Sequence, residues 1–422
     1  MNPEFSEMGR LLAGPSGIGE LMDDLGHALA SGGPEIRMLG GGQPAHIPQV
    51  NALWHQRTRE ILDTPGELER VLANYDPPRG NAAFLSALAT LLRRTFGWNI
   101  GPEHLAITSG GQTAFFFLFN LLAGPMPDGT RKKILLPLVP EYIGYANQAS
   151  HPGMFRAVRP VIETSDDHTF KYHIDFDNLR ITPDIAALCV SRPTNPTGNV
   201  LTDSEIARLS ALAKQHNLPL LIDNAYGAPF PHIIFTDATP VWDEHIILTL
   251  SLSKLGLPGT RTGIVVARPE IAAAIANMSA VVGLANPNIG QAITRPLIES
   301  GEILRLSTDT IRPFYAAKSK SAQSWVHREF GGEFPYYIHR SEGALFLWLW
   351  FPGLPIASAE LYERLKRRGV LIVPGHHFFF GLEDDHWQHR HECLRMTFTM
   401  DEAIVRDGIR VIGEEVRAAW NA

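Results

Sequence analysis

The stretch TLSLSKLGLPGTRTG, residues 249–263, begins inside an apolar run at 246–250 and leads into another at 262–267. Both runs have strand character, and the loop between them holds hydroxyl residues, glycines and one lysine, Lys254. Small neighbours leave room around the ε-amine for a planar group, and desolvation there depresses an amine's pKa towards its reactive neutral form. Ser251, Ser253 and Arg261 add donors suited to a phosphate. Taken alone, the pattern is equally that of a solvated loop lysine, so the surrounding chain has to decide.

Working outwards, further strand patterns occur at 104–108, 133–138, 187–191 and 219–222, alternating with helical ones. One helix carries Phe84, Leu85, Leu88, Leu91 and Leu92 on a single stripe. Another starts at Thr202-x-x-Glu205, whose two side chains can satisfy orphan N–H groups reciprocally. Such alternation predicts an α/β fold with a mostly parallel sheet between helices. After about residue 300 the character changes, with long helical segments near 300–330 and 401–420 flanking β-rich runs at 344–351 and 394–399. The expected organisation is a large domain over 46–300 and a smaller α+β domain made of 1–45, including an N-terminal arm, and 301–422.

Four other motifs sit where the strand patterns end. In Asp223-Asn-Ala-Tyr226 the carboxylate stands at a strand's C-terminal end, where α/β sheets place ligands; it can pair with a protonated ring nitrogen or simply cap a helix. Arg192-Pro-Thr-Asn195-Pro-Thr-Gly198 is good turn chemistry by itself. Thr108-Ser-Gly110-Gly111-Gln112-Thr113 precedes an apolar helical run, and small residues at a helix N-terminus bare N–H groups that suit an anion. Pro140-Glu-Tyr142-Ile-Gly-Tyr145 offers an aromatic face for a flat ring, or a packed surface tyrosine.

In order and approximate spacing these motifs resemble the class I and II aminotransferases of fold type I, over roughly residues 40–400. The resemblance implies a fold-type-I transferase that uses pyridoxal 5'-phosphate. Lys254 would carry the cofactor as a Schiff base and shuttle the proton at the substrate's Cα. Asp223 would face the pyridine nitrogen, Asn195 and Tyr226 the phenolate oxygen, and Tyr142 the ring. Ser251, Ser253, Arg261 and the backbone of Gly110, Gly111 and Gln112 would hold the phosphate. Tyr75, in NYDPPRG at 74–80, would reach the phosphate of a second subunit, which implies a homodimer. Arg395 would grip the substrate carboxylate bidentately, with Gly41, Gly42 and Asn195 beside the substrate. The texture of LGGGQPAHIP, NYDPPRGN, LVPEYIGY and ITSGGQTAFFF is most similar to bacterial members that act on valine and pyruvate. Transfer between small neutral α-amino acids and 2-oxo acids is therefore the expected reaction. Family members often have one more residue between the lysine and the phosphate arginine, so a slightly tightened loop is expected here.

Composition fits a small-molecule enzyme. The chain has 422 residues, 45% apolar and 19% charged, with a formal net charge of -7 and no basic run, so nothing marks it for nucleic acid or an anionic membrane. Two cysteines give neither a disulfide framework nor a metal site. No signal-like start and no run of about 18 apolar residues occurs, and a cytoplasmic location is expected. The run His386-Trp-Gln-His389-Arg-His391 matches no standard metal spacing and is read as a solvated or cap-forming loop, so no metal is expected. Two rival functions remain. A β-lyase or an aminocyclopropane-carboxylate-synthase-like enzyme would use the same residues for elimination. A cofactor-sensing regulator would need a DNA-binding module, and only about 40 residues precede the motif-bearing part.

Overall fold

The computed structural model describes residues 4–17, 19–20, 22–23, 26, 36–382 and 386–421. Much of the expected N-terminal arm, namely 1–3, 18, 21, 24–25 and 27–35, lies outside the described residues. The central sheet has eight strands. Four neighbouring strands, Arg131–Leu136, Ile185–Ser191, Leu220–Asp223 and Ile246–Ser251, run parallel, and Phe155–Ala157 joins the first of them in the same direction. Gly263–Val266 is inserted antiparallel between Ile246–Ser251 and Leu105–Thr108. A short strand, Gly124–Pro125, closes the far edge. Helices cover the sheet, so the inner strands are buried on both faces; Ile185–Ser191 is almost wholly buried and Ile246–Ser251 completely so. That is why these strands read as continuous Ile, Leu and Val runs rather than as alternation.

Local chemistry sets the element ends. Helix Ala82–Phe96 starts at Asn81, whose side chain accepts from the Phe84 N–H at 3.1 Å, and stops at Gly97 in the left-handed conformation (φ 69°). The five apolar residues that predicted it are all buried. Helix Asp203–Gln215 begins with the expected reciprocal cap of Thr202 and Glu205.

A second sheet of six strands orders Val373–Pro374, Cys393–Thr397, Phe346–Trp350, Tyr337–His339, Thr169–His173 and Val161–Thr164. Its last two strands come from the middle of the chain, inside the 46–300 stretch that sequence assigned to the large domain. Thr169–His173 pairs parallel to Tyr337–His339, with Thr169 opposite Ile338. Helices Arg312–Phe330 and Glu402–Trp420 pack against each other beside this sheet. Residues Arg37–Met38 pair with Val370–Leu371, and the Leu39 carbonyl accepts from the Thr397 N–H at 2.7 Å, which lays the segment after residue 37 over the second sheet. The histidine run is only partly a solvated loop: His389 is 4% exposed, bonded to the Tyr172 hydroxyl at 2.5 Å and stacked on Trp387. Burial keeps it neutral by lowering its pKa to about 3. Among the described residues no helix is long and apolar enough to cross a membrane.

Candidate active site

Five loops leaving the C-terminal ends of same-direction strands converge on one cavity of about 290 Å³. This is the place where open α/β sheets bind ligands. Asp223 is the last residue of its strand. Its Oδ1 accepts from the Ala225 N–H at 2.8 Å and the Thr249 hydroxyl at 3.3 Å, while the Tyr145 hydroxyl donates to Oδ2. Burial raises the carboxyl's pKa, and the Tyr145, Ala225 and Thr249 bonds and the Lys254 charge oppose the rise.

Lys254 lies on a short helical turn just past strand Ile246–Ser251, and Trp54 pins that turn by donating from Nε1 to the Leu255 carbonyl at 2.9 Å. Its Nζ donates to the Gly42 carbonyl and stands 5.2 Å from the centre of the Tyr226 ring. Burial lowers the amine's pKa to about 8, assisted by the charges of Arg395 and Arg261 and opposed by Asp223.

Arg395 projects from strand Cys393–Thr397 and is 2% exposed. Its guanidinium lies between two rings, 4.2 Å from the centre of Phe346 and 5.3 Å from that of Phe378. It donates to Asn195 Oδ1 at 2.7 Å and to the Gly40 carbonyl at 2.6 Å, and its Nε is buried without a hydrogen-bond partner. Burial lowers its pKa to about 10, which leaves it charged at neutral pH.

At the other end of the cavity, helix Gly111–Leu122 starts without any side-chain cap. Gly110 precedes it at φ +93°, a conformation that favours glycine, and a Cβ there would run into the Arg261 guanidinium. Arg261 Nη2 reaches the Ser109 carbonyl at 3.3 Å, so a cation and an uncapped helix N-terminus face one spot, a good anion site. Ser251 and Ser253 line the same region, and Tyr142 forms a flat wall. Gln112 donates to the Gly144 carbonyl at 3.0 Å, which leaves its Oε1 buried without a partner.

Of the residues singled out from sequence, Lys254, Asp223, Tyr226, Asn195, Tyr142 and Arg395 all line the cavity, as do Gly42, Gly111, Gln112, Ser251, Ser253 and Arg261. Gly110 sits behind Arg261, and Gly41 does not line the cavity, although its neighbours Gly40 and Gly42 turn their carbonyls to Arg395 and Lys254. Tyr75 is not brought to the site; it is 82% exposed on the outside of the chain. Sequence reasoning passed over four residues. Tyr145 and Thr249 bond Asp223, Glu141 is buried behind Tyr142, and Phe346 packs against both Arg395 and the Tyr226 ring. Tyr145, Glu141 and Thr249 lay in quoted motifs, yet nothing local separated Tyr145 from Tyr142 or marked Thr249 as a partner of Asp223.

The sequence matches the family described as aminotransferase class I and II over residues 49–412. It is 47% identical, over 99% of both chains, to the valine–pyruvate aminotransferase of Escherichia coli (strain K12). Among solved structures, valine–pyruvate aminotransferase from Salmonella typhimurium LT2 is 47% identical and superposes with a TM-score of 0.88 over 96% of this chain and 99% of that one. The aspartate aminotransferase of Thermus thermophilus shares the fold at 21% identity, with a TM-score of 0.79 over 98% of this chain and 100% of that one.

Proposed function

The chain belongs to the class I and II aminotransferases, fold-type-I enzymes that run on pyridoxal 5'-phosphate, and we propose that its own reaction is transamination between valine and pyruvate. The reaction takes valine and pyruvate to 3-methyl-2-oxobutanoate and alanine. The observation that carries the substrate class is the cavity's charge inventory. Asp223, Lys254, Arg261 and Arg395 are the only charged side chains that line it among the described residues. Each has a use in a reaction of one α-carboxylate and one amine, so no cation is left for an acidic side chain.

The residues fit the cofactor. An uncapped helix N-terminus beside Arg261 suits its phosphate, Tyr142 a flat ring and Asp223 a ring nitrogen. Pyridoxal phosphate supplies an aldehyde that condenses with amines and a ring that takes up electrons. Everything else falls to the chain. Asp223 would hold the ring nitrogen's proton, with Tyr145 and Thr249 fixing the carboxylate in place. Asn195, whose Oδ1 is taken by Arg395 and whose side chain also bonds Tyr226, would face the ring oxygen together with the Tyr226 hydroxyl. The phosphate is held by the N–H groups of Gly111 and Gln112 with Ser251, Ser253 and Arg261, while Gly110, whose N–H donates to the Thr108 carbonyl at 2.7 Å, shapes the turn that presents them. Arg395 takes the substrate carboxylate as a bidentate pair, exchanging the Gly40 carbonyl for it. Gly42 lets backbone lie close to the substrate, and Gly41 joins it to Gly40. Lys254 Nζ, released from the Gly42 carbonyl, takes the proton from the substrate's Cα and returns it on the far side of the transfer.

The working unit is a homodimer in this reading. Tyr75 and Leu72 are exposed at 82% and 68%, and Val281 and Val282 at 87% and 65%. Asn288, six residues beyond Val282, donates to the carbonyls of Val71 and Asn74. An apolar surface of this kind suits a twofold contact, and Tyr75 would complete the partner's phosphate site.

The deciding assay incubates purified enzyme with valine and pyruvate and follows both products. Equal amounts of alanine and 3-methyl-2-oxobutanoate are expected, with only one equivalent of oxo acid formed when pyruvate is withheld. Continuous ammonia release without an oxo-acid acceptor would overturn transamination in favour of elimination.

A further inference from the structure

Glu141 immediately precedes Tyr142 and is 1% exposed. It makes no ion pair among the described residues, yet three donors converge on its carboxylate. Oε1 accepts the Ser191 N–H at 2.8 Å, while Oε2 accepts the Ser191 hydroxyl at 2.6 Å and the Tyr142 N–H at 3.1 Å. Ser191 ends the strand next to that of Asp223 and stands opposite it in register. Glu141's own N–H donates to the carbonyl of Phe378, one of the two rings that flank Arg395. A single side chain thus links the flat wall of the cavity with the strand that neighbours Asp223, and its main chain reaches towards the carboxylate-binding arginine.

Such a residue is costly. A buried carboxylate without a cation loses much of its solvation, and a packing role would be filled better by an apolar side chain. The groups that face it are Asp223, Tyr145, Cys189 and Tyr142, none of them cationic. Burial and the Asp223 charge raise its pKa, while the three donors act in the opposite direction. What the carboxyl group provides that no apolar residue could is an oxygen for each of two fixed N–H donors, those of Ser191 and Tyr142, and a partner for the Ser191 hydroxyl, which turns to suit it.

We propose that Glu141 is a positioning residue for the transamination, collecting the Tyr142 N–H and both Ser191 donors so as to fix the tilt of the Tyr142 ring against the cofactor. The proposal rests on the reading of Tyr142 as the wall on which the cofactor ring lies. Gln is nearly isosteric with Glu but offers one acceptor and one donor where three donors converge. With its amide oxygen turned to the Ser191 N–H, the Tyr142 N–H is left without an acceptor.

The test is visible circular dichroism of purified, cofactor-loaded enzyme, which reports how the bound ring is held, together with the thermal midpoint of the cofactor-free chain and steady-state kinetics. Glu141→Gln is expected to change the visible dichroic band and lower kcat about tenfold, the effect of a slightly misplaced reacting group. The KM for valine should stay within about twofold, because Arg395 keeps its ring neighbours and partners. Ser191→Ala removes one donor and keeps the Tyr142 link, so its band should match the wild type. If Gln prevents folding, Glu141→Asp keeps the carboxyl group but shortens the reach by one carbon and should give the same band change. An unchanged band and kcat in a folded Glu141→Gln, while Tyr142→Leu alters the band, would overturn the role of Glu141 alone. A band indifferent to Tyr142→Leu as well would overturn both this proposal and the reading of Tyr142.

Discussion

The cavity's chemistry depends first on the protonation of one amine. With its pKa lowered to about 8 by burial and two guanidinium groups, Lys254 in the cofactor-free chain is mostly protonated at pH 6 and mostly neutral at pH 9. Only the neutral amine attacks an aldehyde. Reattachment of pyridoxal phosphate to the cofactor-free protein, followed by stopped-flow absorbance, should therefore accelerate roughly tenfold per pH unit below about 8 and level off above it. A rate that is flat across this range would mean that another group limits attachment. At the far end of the site, Arg395 is held by its shape as much as by its charge. Arg395→Lys keeps a cation but loses the fork and the stacking between Phe346 and Phe378. Each charge-assisted hydrogen bond is worth ~1.5–3 kcal/mol, so the KM for valine should rise at least tenfold. An unchanged KM would place the carboxylate elsewhere.

Among the elements, the start of helix Gly111–Leu122 carries the clearest conformational demand. Gly110 sits at φ +93° against Arg261. Gly110→Ala would add both a backbone cost of order 1–3 kcal/mol and a displaced guanidinium. Cofactor affinity, measured by equilibrium dialysis, should fall about tenfold or more with the fold preserved; unaltered affinity would remove the phosphate from this corner. Elements of this kind were legible in the sequence because their signals are local. The six strand patterns of the central sheet, the Asn81-to-Gly97 helix and the Thr202 cap all show themselves within a few residues. The cavity residues were legible because loop motifs at strand ends keep their spacing. Tyr145, Thr249 and Phe346 were not, since each acts through a contact between elements distant in the chain: Tyr145 with Asp223, Thr249 across the Leu220–Asp223 strand pair, Phe346 with Arg395. The pairing of residues 161–173 with the second sheet was hidden for the same reason, as nothing in TFKYH names its partner strand.

For the whole molecule the test of assembly is complementation. A Lys254→Ala chain and a Tyr75→Phe chain, each impaired as a homodimer, should recover activity when subunits exchange, because the site that keeps Lys254 then receives an intact Tyr75 from its partner. Failure to recover, with exchange proven by mass spectrometry and a measurable Tyr75 defect, would rule out a shared site. The topology has a further consequence, for the order of events during synthesis. Strand Thr169–His173 leaves the ribosome about 170 residues before the strand that takes its outer edge, Tyr337–His339. At ~5–20 residues per second this is an interval of roughly ten to thirty seconds. Over that time the nascent chain holds a hairpin, Val161–Thr164 with Thr169–His173, whose free edge and apolar face of Phe170 and Tyr172 have no cover. The hairpin is thus a segment of the growing chain exposed to mispairing, and one on which a chaperone would have work to do.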